Sequence, residues 1–238
     1  MRTSPRPFLI ALAALLALVL VPVAVDRLAA ARVESRTAKA FQEGMGTPLP
    51  PQVRVRGVPV LTQLASGTLR HVDITAHDIP ADGSARPLPV TELALGLDGL
   101  RKSDDDKEAQ AREAEATAYL SYPDVSNALG IEIGQAAQPG RITATVVLPL
   151  DTEVNVTTAV SAASGNRISF HDFQVTGGAL PGIGRTLLDR VFAQPIQLRN
   201  IPQGLHLRTV RTTATGLTAR FSGESVTFRP DDSTGRAA

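Results

Sequence analysis

The sequence predicts an α+β fold in which a curved, largely antiparallel sheet is rolled around a few helices, preceded by an N-terminal membrane or signal helix. Three observations carry this. After Pro51, apolar residues recur at every second position along most of the chain, the period of half-buried strands. Short clusters of Gly, Asn, Asp and Ser fall between these runs. Residues 8–25 carry no charge at all. The chain has 238 residues, 43% of them hydrophobic and 20% charged, so it is long enough for a core and ordinary enough in composition to fold. A formal net charge of +1 gives no bulk attraction to nucleic acid. The absence of cysteine excludes disulfides, thiolate metal sites and a cysteine nucleophile. Tryptophan is also absent and aromatics are 4%, so a base-stacking platform is excluded too. Only Lys39, Lys102 and Lys107 are lysine among 24 basic residues, an Arg bias associated with GC-rich bacterial genomes.

Residues 1–31 read as a signal anchor or signal peptide. Phe8 to Val25 follows Arg2 and Arg6 and is closed by Asp26 and Arg27. As a helix it would extend ~27 Å, close to the ~30 Å hydrocarbon thickness of a bilayer. Length favours an anchor. A cleavable signal would use Pro22 to end the apolar run, with Ala29 and Ala31 as the small residues before the cut. A strict positive-inside count, with Arg27, Arg32, Arg36 and Lys39 on the C-terminal side, places the domain inside. The short basic start and the proline-broken run instead resemble an export signal, and the expected location is the extracytoplasmic side of the cell membrane. If the segment is cleaved, the protein is secreted into the periplasm-like space.

Residues 32–51 read as a helical stalk and Pro-rich linker. Asp26 to Met45 is rich in helix formers, Gly44 and Gly46 end it, and Thr47-Pro-Leu-Pro-Pro51 is extended. Residues 52–230 form the α+β domain and residues 231–238 a disordered tail. The alternating runs are Val53–Val55, Val72–Ala76, Leu93–Leu97, Ile142–Leu148, Val154–Val160, Ile168–Phe170, Leu205–Leu207 and Leu217–Phe221. Residues from about Glu108 to Leu120 suit either helix or strand by composition, and the alternation of Ala114, Ala116 and Ala118 favours strand. Turns are expected at Ala81–Ser84, Ser164–Asn166 and Ser222–Glu224. Ser121 to Gly130, with a Ser cap, Pro in the first turn and a closing Gly, predicts a short helix. Gly184 to Phe192 predicts another, with Leu187 and Val191 on its apolar stripe.

Residues able to do chemistry are sparse. His71 and Asp73 share a strand face, a pairing common on surfaces. His171-Asp172 reads as a hairpin end. The Gly177–Gly184 loop lacks both the GxGxxG pattern and a P-loop lysine, and Asp104–Asp106 lies between two lysines as a solvated turn. Asn155-Val-Thr157 matches a glycosylation acceptor by chance inside a strand. No catalytic residue, metal site or cofactor is expected.

Arg56-Gly-Val-Pro-Val-Leu-Thr-Gln-Leu-Ala-Ser-Gly67 is more distinctive. It resembles the G-x-P-hydrophobic-Leu-Thr-Gln-Leu-x-x-Gly signature of the actinobacterial LmeA-type phospholipid-binding family. Ile201-Pro-Gln-Gly-Leu205, Thr215-Gly-Leu-Thr-Ala219 and Ser222-Gly-Glu-Ser-Val226 resemble that family's ending. The resemblance covers roughly Val53 to Phe228. It implies a fold similar to the lipid-binding domain of bactericidal/permeability-increasing proteins (TULIP-like), where a curved sheet leaves an apolar tunnel. It also implies a phospholipid-binding, possibly lipid-shuttling, envelope protein that supports envelope lipid or lipoglycan assembly. Phospholipid and the plasma membrane are then partners, together with an envelope glycosyltransferase or lipid-transport protein.

On that reading the acyl-chain candidates are Leu61, Leu64, Leu93, Leu95, Leu97, Ile142, Ala144, Val146, Leu148, Leu187 and Val191. Thr62 and Gln63 are either head-group contacts or local caps. The competing class is a non-catalytic envelope scaffold that binds no lipid. A glycan-active enzyme lacks a recognisable carboxylate pair.

Overall fold

A computed structural model describes residues 6–82, 88–102, 108–148, 152–177, 195–199 and 201–229. Helix α1 (Arg6–Met45) is followed by β1 (Gln52–Arg56), α2 (Val60–Ala65), β2 (Thr68–Ile79), β3 (Val90–Lys102) and β4 (Ala109–Ser121). Then come α3 (Tyr122–Leu129), β5 (Glu132–Gln135), β6 (Arg141–Leu148), β7 (Thr152–Ala163), β8 (Arg167–Gly177), β9 (Ile196–Gln197), β10 (His206–Thr212) and β11 (Gly216–Phe228). The expected helix at Gly184–Phe192 and the Asp104–Asp106 run lie outside the described residues.

The strands form two antiparallel sheets. One has the order β1-β2-β3-β4-β11-β10, the other β5-β6-β7-β8-β9. The first is a curled half-barrel with few helices. The chain leaves it after β4 through α3, builds the second sheet, and returns so that β11 pairs with β4 along nearly its whole length. Strands β3, β4 and β11 each have 13 residues, about 43 Å of extended chain. The strand reading of residues 108–120 is borne out by β4.

Local chemistry explains the short elements. Ser121 accepts a hydrogen bond from Asp124 N (3.2 Å) and caps α3, Pro123 sits in its first turn, and Gly130 closes it at φ 69°. The Tyr122 hydroxyl donates to Thr213 O (2.9 Å), tying α3 to the turn between β10 and β11. In the Ser164–Asn166 turn, Asn166 adopts φ 56° and clamps the edge of β10. Its amide donates to Leu205 O and its Oδ1 accepts from Leu207 N at 2.7 Å.

Two cores result. One lies between the sheets and contains Leu120, Tyr122, Val125, Ile142, Ala144, Val154, Val156, Ile168 and Leu217. The other lies under α1, with Ala30, Val53, Val55, Val60, Val72, Ile74, Leu97 and Val226.

Helix α1 runs through Pro22 without a break. Two sequence expectations need correction. Ser222–Glu224 is not a turn but the interior of β11. Gly223 permits this, because a Cβ there would collide with the backbone of Gly204. His171-Asp172 is not a hairpin end. It lies within β8 beside a register shift against β7, with Asp172 at φ 56°. No helix among the described residues is long and apolar enough to cross a membrane.

Helix α1 joins the domain at Asp26. Each described side chain from Leu18 to Val25 is exposed, whereas Asp26 and Ala30 are buried. Asp26 Oδ1 accepts from the backbone N–H of Leu61 (2.8 Å), capping α2 from another helix, since Pro59 at the cap position makes no side-chain hydrogen bond. Two turns further on, Glu34 Oε1 accepts from Val55 N (2.9 Å) and occupies a donor on the edge strand β1. Asp26→Ala should therefore destabilise the chain by about 0.5–2 kcal/mol, the usual value of a helix cap. Asp26→Asn, which keeps the Oδ1 acceptor, should retain most of that stability in thermal melts. Equal losses for both variants would show that the cap is not what Asp26 supplies.

Candidate functional site: the concave face of the first sheet

Strand alternation gives the six-stranded sheet two unlike faces. On the concave face the register assembles three apolar rows. The first runs Val53–Ile74–Leu95–Ala116–Phe221–Leu207 across all six strands. The second runs Ala76–Leu93–Ala118–Ala219–Val210. The third runs Val55–Val72–Leu97–Ala114–Gly223. Every row therefore drops to alanine where it crosses β4. A strip of methyl side chains along the central strand, itself buried at 2–6% exposure, is bounded by leucines on β3 and by Phe221 on β11.

Helix α1 covers one end of this face and the second sheet covers the other. Between them, Leu93 and Phe221 pack against both cores yet stay half-buried, as does Leu95. Half-covered aliphatic side chains beside a floor of alanines suit the methylene chain of a lipid, which needs apolar contact and room but no directional bonds.

The convex face is polar. Its rows include Arg54–Asp73–Gly96–Glu115–Ser222–His206 and Arg56–His71–Asp98–Glu113–Glu224. Two open clefts lie here. One, of about 250 Å³, is lined by Gln52, Arg54, Arg56, Asp73 and Thr75. The other, of about 440 Å³, includes Glu113, Glu115, His206, Arg208 and Glu224.

His71 bridges two carboxylates: Nδ1 lies 2.8 Å from Asp98 Oδ1 and Nε2 lies 3.0 Å from Asp73 Oδ1. Arg56 Nε donates to the second oxygen of Asp73 at 2.6 Å. A neutral imidazole has one donor, so only the imidazolium satisfies both carboxylates. The hydrogen bond to Asp98, then that to Asp73, accordingly raises the His71 pKa against a smaller opposing effect of burial. Burial alone would raise the Asp73 carboxyl, but hydrogen bonds from Arg56 and His71 prevail and hold it below its ordinary value. Each member of this cluster is thus engaged with another member.

The residues picked out from sequence fall into four places. Leu93, Leu95 and Leu97 lie on the concave face, Leu97 under α1. Ile142 and Ala144 are fully buried between the sheets, Ala144 paired with Ile133 and Val156. Leu61 and Leu64 are exposed on α2. Thr62 is exposed, whereas Gln63 is only 3% exposed and tied to backbone. The Gln63 amide donates to Arg56 O (3.3 Å) and its Oε1 accepts from Arg70 N (2.8 Å), so it fastens α2 to the strands on either side. The side chains of Val146 and Leu148, and all of Leu187 and Val191, lie outside the described residues. Sequence reasoning overlooked Ala116, Ala118 and Phe221 as site residues. The alanine alternation was visible, but it signalled only a strand.

A family model described as LmeA-like phospholipid-binding matches residues 24–222, and the chain belongs to that family of phospholipid-binding proteins. Neither a curated protein nor a solved structure gave a significant match.

The bridged histidine yields a measurable consequence. The His71 ring should titrate above about 6.5, the ordinary histidine value, in NMR spectra. Asp98→Asn should lower its midpoint. Because the folded pKa is raised, the stability it contributes is fully present below the unfolded pKa and is lost as pH rises through the folded value. A midpoint at or below the ordinary value would show that the bridge does not persist in solution.

Proposed function

We propose that this chain is a non-catalytic phospholipid carrier of the cell envelope. In this reading the acyl region of one phospholipid lies in the alanine-floored furrow of the six-stranded sheet. The observation that carries the reading is the run of three apolar rows dipping to Ala114, Ala116 and Ala118, with Leu93, Leu95 and Phe221 left half-covered. The strip itself is buried, and the half-covered side chains beside it are where an acyl chain would enter. The family's phospholipid binding supports the same assignment.

The domain works at the extracytoplasmic face of the cell membrane and supports envelope lipid or lipoglycan assembly by holding or passing on lipid. Its N-terminal segment is retained. Cleavage after Ala31 would remove both Asp26, which caps α2, and the buried Ala30. The family match, which begins at residue 24, supports retention of this part of α1. Transfer partners are envelope enzymes or transport proteins that accept a lipid from the furrow.

The test is native mass spectrometry of the delipidated chain mixed with phosphatidylglycerol or phosphatidylinositol. A one-to-one adduct is expected. Leu93→Glu/Leu95→Glu places charge at two half-buried positions that also pack against the cores, so the folding of the variant is checked first by circular dichroism and thermal melting. Each leucine buried against a ligand is worth about 1.5–3 kcal/mol, so the double variant should weaken retention about tenfold or more. A folded wild-type chain that takes up no phospholipid would instead favour the scaffold reading.

A further inference from the structure

The three exposed apolar residues of the α2 region, Val58 at 55%, Leu61 at 41% and Leu64 at 39%, have no role in the furrow. Helix α2 has six residues and places Val60 and Gln63 inward. Leu61 and Leu64, three apart, share an exposed flank of the helix, where a solvent-facing surface ordinarily carries polar side chains. This face lies where α1 enters the domain, as the 2.8 Å bond from Leu61 N to Asp26 fixes.

Immediately before Asp26, α1 is exposed and apolar from Leu18 to Val25. One stripe along α1 reads Val21, Val25, Leu28 and then, at the same helical spacing, Arg32, Arg36 and Lys39, all exposed. Arg27, beside Leu28, and Arg70, whose backbone N–H bonds Gln63, are exposed next to the same region.

We infer that the outer face of α2, with the adjoining stripe of α1, is a foot that rests on a phospholipid bilayer. The occupant follows from two features. The apolar residues of α2 lie beside the point where the uncharged segment of α1 enters the domain, and exposed arginines lie next to both. An interfacial element has this composition: aliphatic side chains enter the acyl boundary by ~5–10 Å while cations stay at the phosphates. Seated in this way, the six-stranded sheet stands with the α2 end toward the membrane, and the turn between β10 and β11 points away from it. The β2–β3 and β10–β11 registers put that turn at the opposite end of the sheet from α2. The inference rests on the phospholipid-carrier reading, to which it adds where the carrier meets the membrane: at the α2 end of the six-stranded sheet.

The absence of cysteine allows a unique label. The full chain carrying Leu61→Cys, labelled with a polarity-sensitive fluorophore, is reconstituted with vesicles of phosphatidylcholine and phosphatidylglycerol. A second preparation carries the label through Ala214→Cys, in the exposed turn between β10 and β11. The label at position 61 should shift to the blue and lose most of its quenching by aqueous iodide. The label at position 214 should remain fully quenched. Equal quenching at both positions would overturn the foot. The same preparations are assayed for bound lipid by native mass spectrometry. Lipid carried with position 61 in water contradicts the foot alone, whereas a protected position 61 without bound lipid contradicts the carrier reading alone.

Discussion

A sheet of 13-residue strands with one wholly apolar face must cover that face, and β4 governs how this is done. It is central in the sheet, hydrogen-bonded along its length to β3 and β11, and it presents alanines to the concave side at positions 111, 114, 116 and 118. Larger residues there would fill the concavity from within. With alanines, cover must come from outside, and it comes from two separate bodies: α1 over the β1–β2 side, and the second sheet beyond α3. Between them Leu93, Leu95 and Phe221 stay half-covered.

Polar contacts that hold α1 in place follow from the same arrangement. A helix laid on an apolar sheet gains burial but little orientation, because hydrophobic contact is non-directional. Asp26 and Glu34 supply orientation by meeting backbone donors that the fold would otherwise leave without a protein partner, at the start of α2 and on edge strand β1. The helix is thereby fixed in both direction and register, and its apolar N-terminal part is made to leave the domain beside α2. On the convex face, the Arg56–Asp73–His71–Asp98 cluster satisfies its own charges and keeps them off the apolar face.

Much of this architecture is legible in the sequence where the determinant is local. Period-two alternation identifies the long strands, and Ser121, Pro123 and Gly130 define α3 almost to the residue. The Ala114–Ala118 alternation settles a segment whose composition equally suits helix. What alternation specifies is a face, not what covers that face. Ile142 and Ala144 show the same pattern as Leu93 and Leu95, yet one pair lies in a closed core and the other at the furrow. Long-range partners carry no local signal. Asp26 caps a helix 35 residues away, Gln63 reaches backbone on both sides of its own helix, and Gly223 in β11 makes way for Gly204. Ser222-Gly-Glu224 therefore has the composition of a turn although the chain passes straight through it.

The central claim is that lipid acyl chains occupy the concave face between β3 and β11. Its most direct test is photo-crosslinking with a phosphatidylglycerol that carries a diazirine near the end of one acyl chain, followed by peptide mapping. Crosslinks should concentrate in β3, β4 and β11, at Leu93, Leu95, Ala116 and Phe221, and fall when unlabelled phospholipid competes. Competable crosslinks confined to the convex face, or to Ile142 and Ala144 between the sheets, would contradict it.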